Sequence, residues 1–88
     1  MEVAYSPKFI RLLNVLPARL QDEVVEKIAL FKNTRHHTAL KVHKLHGRLK
    51  EQYSFSVNYQ IRITFVYLPK KPKEAYLLTI GDHEVYDR

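Results

Sequence analysis

The sequence predicts an α+β domain in which an N-terminal strand is followed by a helical hairpin and then by three strands of a small, mainly antiparallel sheet, in the order β-α-α-β-β-β. Two hydrophobic periods and the placement of the prolines carry this reading. Apolar residues recur every three or four positions from Phe9 to Phe31 and every second position from Tyr53 onward, the repeats of an amphipathic helix and of a half-buried strand. Pro7 and Pro17 stand where helices begin, and Pro69 and Pro72 stand where a strand must stop.

Met1 to Tyr5 alternates, with Val3 and Tyr5 on one side, and supplies the first strand. Ser6-Pro7 opens a helix, because the serine hydroxyl can accept from amides of the first turn and proline there gives up no hydrogen bond that the helix needs. Phe9, Leu13 and Leu16 line one face of it. Pro17 disfavours helical geometry at Leu16. A second helix therefore starts afresh and runs to about Asn33, with Leu20, Val24, Ile28 and Phe31 as its apolar stripe. Asp22, Glu23 and Glu26 early, and Lys32 and Arg35 late, are expected to complement its dipole.

Tyr53, Phe55 and Val57 alternate with Ser54 and Ser56, which read as outward-facing hydroxyls. Asn58-Tyr59-Gln60 make a turn. Ile61, Ile63, Phe65 and Tyr67 then alternate with Arg62, Thr64, Val66 and Leu68, and apolar residues in both sets mark a central strand. Pro69 to Lys73 turns the chain, and Ala75 to Ile80 forms a strand ended by Gly81. Short connections predict a meander with the helices over one face and the other face available.

A chain of 88 residues builds one core, so residues 1–88 are expected to form a single domain. Without cysteine, disulfides, thiolate zinc sites and a cysteine nucleophile are excluded. The first residues carry no basic-then-apolar leader pattern, and no apolar run is long enough to span a membrane, so the expected location is the reducing cytoplasm. The formal net charge of +6 is concentrated. Between Glu26 and Glu51 there is no acid, while Lys27, Lys32, Arg35, Lys41, Lys44, Arg48 and Lys50 fall there with His36, His37, His43 and His46. Such a field attracts polyanions; its plainer reading is a solvated basic face or the complement of an acidic partner.

Two segments carry a resemblance. The run from His43 to Ile63 holds Leu45-His46-Gly47, the basic residues Arg48 and Lys50, the strand Tyr53 to Val57, and then Tyr59-Gln60-Ile61-Arg62; the tail reads Gly81-Asp82-His83-Glu84-Val85-Tyr86. In order and spacing these resemble the RelE/ParE superfamily. The resemblance implies a RelE-like fold and a toxin of a bacterial or archaeal type II toxin–antitoxin pair. Its ribonuclease branch cleaves messenger RNA in the ribosomal decoding site. It further implies a cognate antitoxin as partner, contact with ribosomal and messenger phosphates, and no metal, small-molecule cofactor or membrane. Histidines of the YafQ-like group fall at His43 and His83 and its aromatic at Tyr86, while the RelE-like strand arginine falls at Arg62. Ser56 stands where the YafQ-like group has a middle-strand histidine.

RNA can be cut without metal when its own 2′-hydroxyl attacks the adjacent phosphorus. A base takes the hydroxyl proton, an acid protonates the departing 5′-oxygen, and a cyclic phosphate and a 5′-hydroxyl result. Histidine suits either role near neutrality, and the phosphorane charge calls for a fixed cation. On this reading His83 is the leading acid or base, His43 the second, Arg62 stabilises the phosphorane, and Tyr86 stacks on a base. Lys41, Lys44, His46, Arg48 and Lys50 bind RNA and ribosomal phosphates.

Each assignment has a plainer rival: a surface histidine at His83, an ion pair of Arg62 with Glu51 or Glu84, a core-capping ring at Tyr86, and solvated loop histidines at His43 and His46. For the whole chain the rivals are a ParE-like inhibitor of DNA gyrase and a non-catalytic basic nucleic-acid-binding module. The histidines at 36, 37, 43 and 46 lack zinc spacing and a neighbouring carboxylate, so no metal site is expected.

Overall fold

A computed structural model describes residues 1–49 and 51–82. The chain forms strand β1 (Glu2–Tyr5), helices α1 (Pro7–Asn14) and α2 (Ala18–Phe31), and strands β2 (His43–Lys44), β3 (Tyr53–Ser56), β4 (Arg62–Leu68) and β5 (Glu74–Gly81). The strands make one sheet in the order β1-β5-β4-β3-β2. β1 runs parallel to β5, with Val3 opposite Ala75 and Tyr5 opposite Leu77, and every other pair is antiparallel. The expected α+β arrangement holds, with one strand added at the edge.

Local chemistry sets the helix boundaries. Ser6 Oγ accepts from the Phe9 amide at 3.0 Å and donates to the Leu78 carbonyl at 3.2 Å, so one buried hydroxyl caps α1 and ties its start to β5. Leu78 is the residue left without a Cα partner where the register shifts, since Thr64 pairs with Thr79 but Phe65 pairs with Leu77. Pro17 separates the helices, and Gln21 Nε2 donates to the Leu16 carbonyl at 2.9 Å, closing the gap that the proline opens.

The dipole expected for α2 is not complemented as its charges suggested. The helix starts at Ala18 and ends at Phe31, so its first turn holds no acid and its last turn no base; charges outside the terminal turns contribute little. Glu23 instead accepts from Asn58 Nδ2 at 2.7 Å, joining α2 to the turn after β3.

The core lies between the helices and one face of the sheet. Phe31, at the end of α2, stacks on Phe55 with centroids 4.2 Å apart and meets Phe65 edge-on at 4.9 Å. Phe9, Val24, Ile28, Ile63, Ala75 and Leu77 complete it. Because side chains alternate along a strand, Phe55, Ile63 and Phe65 under α2 place Ser54, Ser56, Arg62 and Thr64 on the opposite face. Ser54 and Thr64 are nonetheless fully buried, which corrects the reading of the β3 serines as outward-facing for Ser54.

Candidate nucleic-acid interface

The segment between α2 and β3 is basic, and one of its histidines is structural. His37 lies parallel to Phe31 at 4.8 Å, and its Nε2 is 2.7 Å from the Phe31 carbonyl at the end of α2. A carbonyl only accepts, so Nε2 carries the proton and the ring satisfies one of the orphan acceptors of the helix end. Beyond it, Leu40 is buried and its carbonyl accepts from the Ser56 amide at 2.8 Å, fastening the segment to β3.

Lys41 adopts a left-handed backbone, φ 58°, a conformation that costs an L residue about 1–2 kcal/mol. The Lys41 carbonyl meets Nδ1 of His43 at 2.8 Å. That contact places the proton on Nδ1, so in the neutral ring the lone pair is on Nε2, the form a general base needs.

Register assembles the face of the sheet opposite the helices in two rows. His43 pairs with Ser54, Ser54 with Thr64, and Thr64 with Thr79, whose hydroxyl is hydrogen-bonded to that of Thr64. Two residues along β3, Ser56 pairs with Arg62 and Arg62 with Gly81. His43 and Arg62 therefore share one face, two strands apart and two residues along, on the order of 12 Å between Cα atoms from standard sheet spacings. Lys44 pairs with Tyr53, which puts it on the helix side of the β2 pleat and separates it from its neighbour His43.

Arg62 is half-buried, and its Nη1 donates to the Asn58 carbonyl at 2.6 Å and the Ile61 carbonyl at 3.3 Å. Of the partners anticipated for it, Glu51 is not an acceptor in these hydrogen bonds, and Glu84 lies outside the described residues. A cavity of about 360 Å³ opens beside it, bordered by Lys27, Lys41, Ser56, Asn58 and Tyr59. Lys41, His43, Lys44, His46 and Arg48 are exposed. Gly47 has φ 70°, a left-handed turn that glycine makes without strain. Three predicted site residues, His83, Tyr86 and Lys50, lie outside the described residues. Among the described residues no three His, Cys, Asp or Glu side chains could hold a metal ion, and no helix is long and apolar enough to cross a membrane.

Lys27 and Tyr59 border this cavity without having been among the expected site residues. Tyr59 carried a signal, since an aromatic at the centre of a turn has no strand face on which to bury its ring. Lys27 carried none, being one cation among many on a helix.

No family model and no curated protein matches the chain at the level of sequence. Solved structures do match. A YoeB/ParE toxin from Agrobacterium tumefaciens superposes with a TM-score of 0.74 at 14% identity, over 94% of this chain and 99% of that one. YafQ from E. coli strain BL21(DE3) gives 0.74 at 17% identity, over 96% and 94%. A chain of the RelBE2 toxin–antitoxin complex from Mycobacterium tuberculosis gives 0.72 at 20% identity, over 93% and 96%. The chain thus shares its fold with these toxins across nearly its whole length.

Proposed function

We propose that this protein is the toxin of a type II toxin–antitoxin pair and acts as a ribosome-dependent endoribonuclease, cutting messenger RNA by metal-independent attack of the 2′-hydroxyl. The observation that carries the reading is the shared face of His43 and Arg62, set in a fold that its neighbours use as toxins. His43, oriented through Nδ1, takes the proton of the attacking 2′-hydroxyl or returns one to the departing 5′-oxygen. Arg62, braced through Nη1 against the turn, offers its Nε and Nη2 hydrogens to the phosphorane oxygens. His83 supplies the other proton transfer: it follows Gly81, the Cα partner of Arg62, by two residues. Tyr86 stacks on a base and fixes the nucleotide for in-line attack.

Lys41, His46, Arg48 and Lys50 act on the phosphates of message and ribosome, and Lys44 does so from the other side of the β2 edge. The same field receives a cognate antitoxin, whose acidic or amphipathic segment covers the cations. Expression of the wild-type chain with mapping of message ends tests the reading, beside Arg62→Ala and His83→Ala. Cleavage within ribosome-bound messages, reduced about a hundredfold or more in both variants, is the expected result. Wild-type cleavage by both variants removes the mechanism, and cleaved DNA attached to gyrase in place of cut message moves the chain to a ParE-like activity.

A further inference from the structure

The turn after β3 is held from several directions, and its apex is an exposed aromatic ring. Asn58 Oδ1 accepts from the amides of Gln60 and Ile61 at 2.8 Å each, Asn58 Nδ2 donates to Glu23, and Arg62 donates to the carbonyls of Asn58 and Ile61. Tyr59 stands on this frame at 88% exposure. A ring on a braced turn loses little conformational freedom when a ligand stacks on it.

The ring also divides two surfaces of opposite charge. On one side is the cavity of about 360 Å³ with Lys27, Lys41 and Arg62 at its border. On the other, Asp22, Glu23 and Glu26 border a second hollow with Arg19, in which Tyr59 also takes part. Lys27 contacts Glu26 only at 3.8 Å, the outer limit of an ion pair. A ligand that joins a flat apolar face to negative charge fits the cationic side and is repelled from the acidic one.

We propose that Tyr59 is a stacking platform for a base of single-stranded RNA whose phosphate is taken by Lys27 and Lys41. The RNA path then continues from the His43 edge of the sheet face opposite the helices, past Arg62, round the end of the sheet to α2. The identity of the strand rests on the nuclease reading; the contact itself does not. The test uses the full chain and a labelled single-stranded oligoribonucleotide carrying 2′-O-methyl groups, which cannot attack the backbone, so that anisotropy reports binding alone. Tyr59→Ala is expected to weaken binding about tenfold and Tyr59→Phe to stay within about twofold, because stacking needs the ring and not the hydroxyl. Lys27→Gln should lower the slope of log affinity against log salt by about 0.7. Thermal unfolding of each variant, expected to match wild type because the ring is exposed, separates lost binding from lost fold.

Wild-type affinity for Tyr59→Ala overturns the platform even if message cleavage is intact, as does a Tyr59→Phe loss as large as that of alanine. Weakened binding to an acidic protein partner with RNA binding unchanged overturns it equally. Loss of RNA binding in Tyr59→Ala, in a wild-type chain that cuts no message, would sustain the platform while removing the nuclease.

Discussion

The two faces of the sheet are built on different terms. Under α2, Phe31, Phe55 and Phe65 bury their rings against one another with no polar group to satisfy. On the far face, Ser54 and Thr64 are buried hydroxyls, Lys41 holds a left-handed backbone, and the half-buried Arg62 is bonded to carbonyls of a turn. The first arrangement maximises apolar burial and dispersion contacts. The second accepts strain and buried polarity that a purely structural face would avoid, and such departures concentrate at working sites. Stability and the proposed chemistry should therefore be separable by substitution.

The largest separation is expected at Phe31. Phe31→Ala leaves a void between Phe55, Phe65 and His37 and should cost about 3–5 kcal/mol, a large part of the roughly 5–15 kcal/mol that holds a domain folded. Denaturant titration would show it as a lower midpoint with an unchanged slope, and RNA affinity of the fraction that stays folded should match wild type. A direct loss of affinity in that folded fraction would couple the two faces after all.

Lys41→Gly should act in the opposite sense. Glycine relieves about 1–2 kcal/mol of left-handed strain and gives back about 0.5–1 kcal/mol in backbone entropy, so the melting temperature should hold or rise slightly. RNA binding should weaken and its salt slope fall by about 0.7. A clear drop in melting temperature would show that the lysine side chain, rather than its carbonyl and charge, holds the segment.

The smallest effect belongs to Tyr67, at the sheet margin. Burial, and then the nearby Tyr53, raise its pKa above the ordinary 10.0. A raised pKa means that the folded state favours the neutral phenol; the stabilisation is complete below the ordinary value and is lost as pH climbs through the raised one. Tyr67→Phe removes that titration, so its unfolding midpoint should fall less steeply above about pH 10 than that of wild type. Equal alkaline slopes would assign the loss to other groups.

The sequence disclosed most of the helix-covered face because that face obeys local rules. Ser6 and Pro7 start α1, Pro17 splits the hairpin, and the periods around Val24, Ile28, Phe55 and Ile63 mark burial without knowledge of partners. The far face depends on pairing between distant segments. β2 is two exposed residues long and has no period to detect; only its bonds to β3 make it a strand. Burial of Ser54 follows from its place inside the sheet, which alternation alone assigned to solvent. The hold of Arg62 on Asn58 depends on how a turn closes, and the helix-dipole reading failed because the ends of α2 lie inside the charges expected to flank it. His43 and Arg62 were singled out through residue type and resemblance, and pairing sets them on one face, while Tyr59 was read as part of a turn and of the resemblance pattern and not as a contact.

The central claim is that His43 and Arg62 act on one phosphate from the same face. A double-mutant cycle in single-turnover cleavage of ribosome-bound message, with His43→Ala, Arg62→Ala and the pair, tests it most directly. Residues that serve one reacting group lose activity non-additively, so the double variant should be little slower than the slower single variant. Rate losses that simply multiply, or a His43→Ala enzyme as fast as wild type, would contradict the shared site.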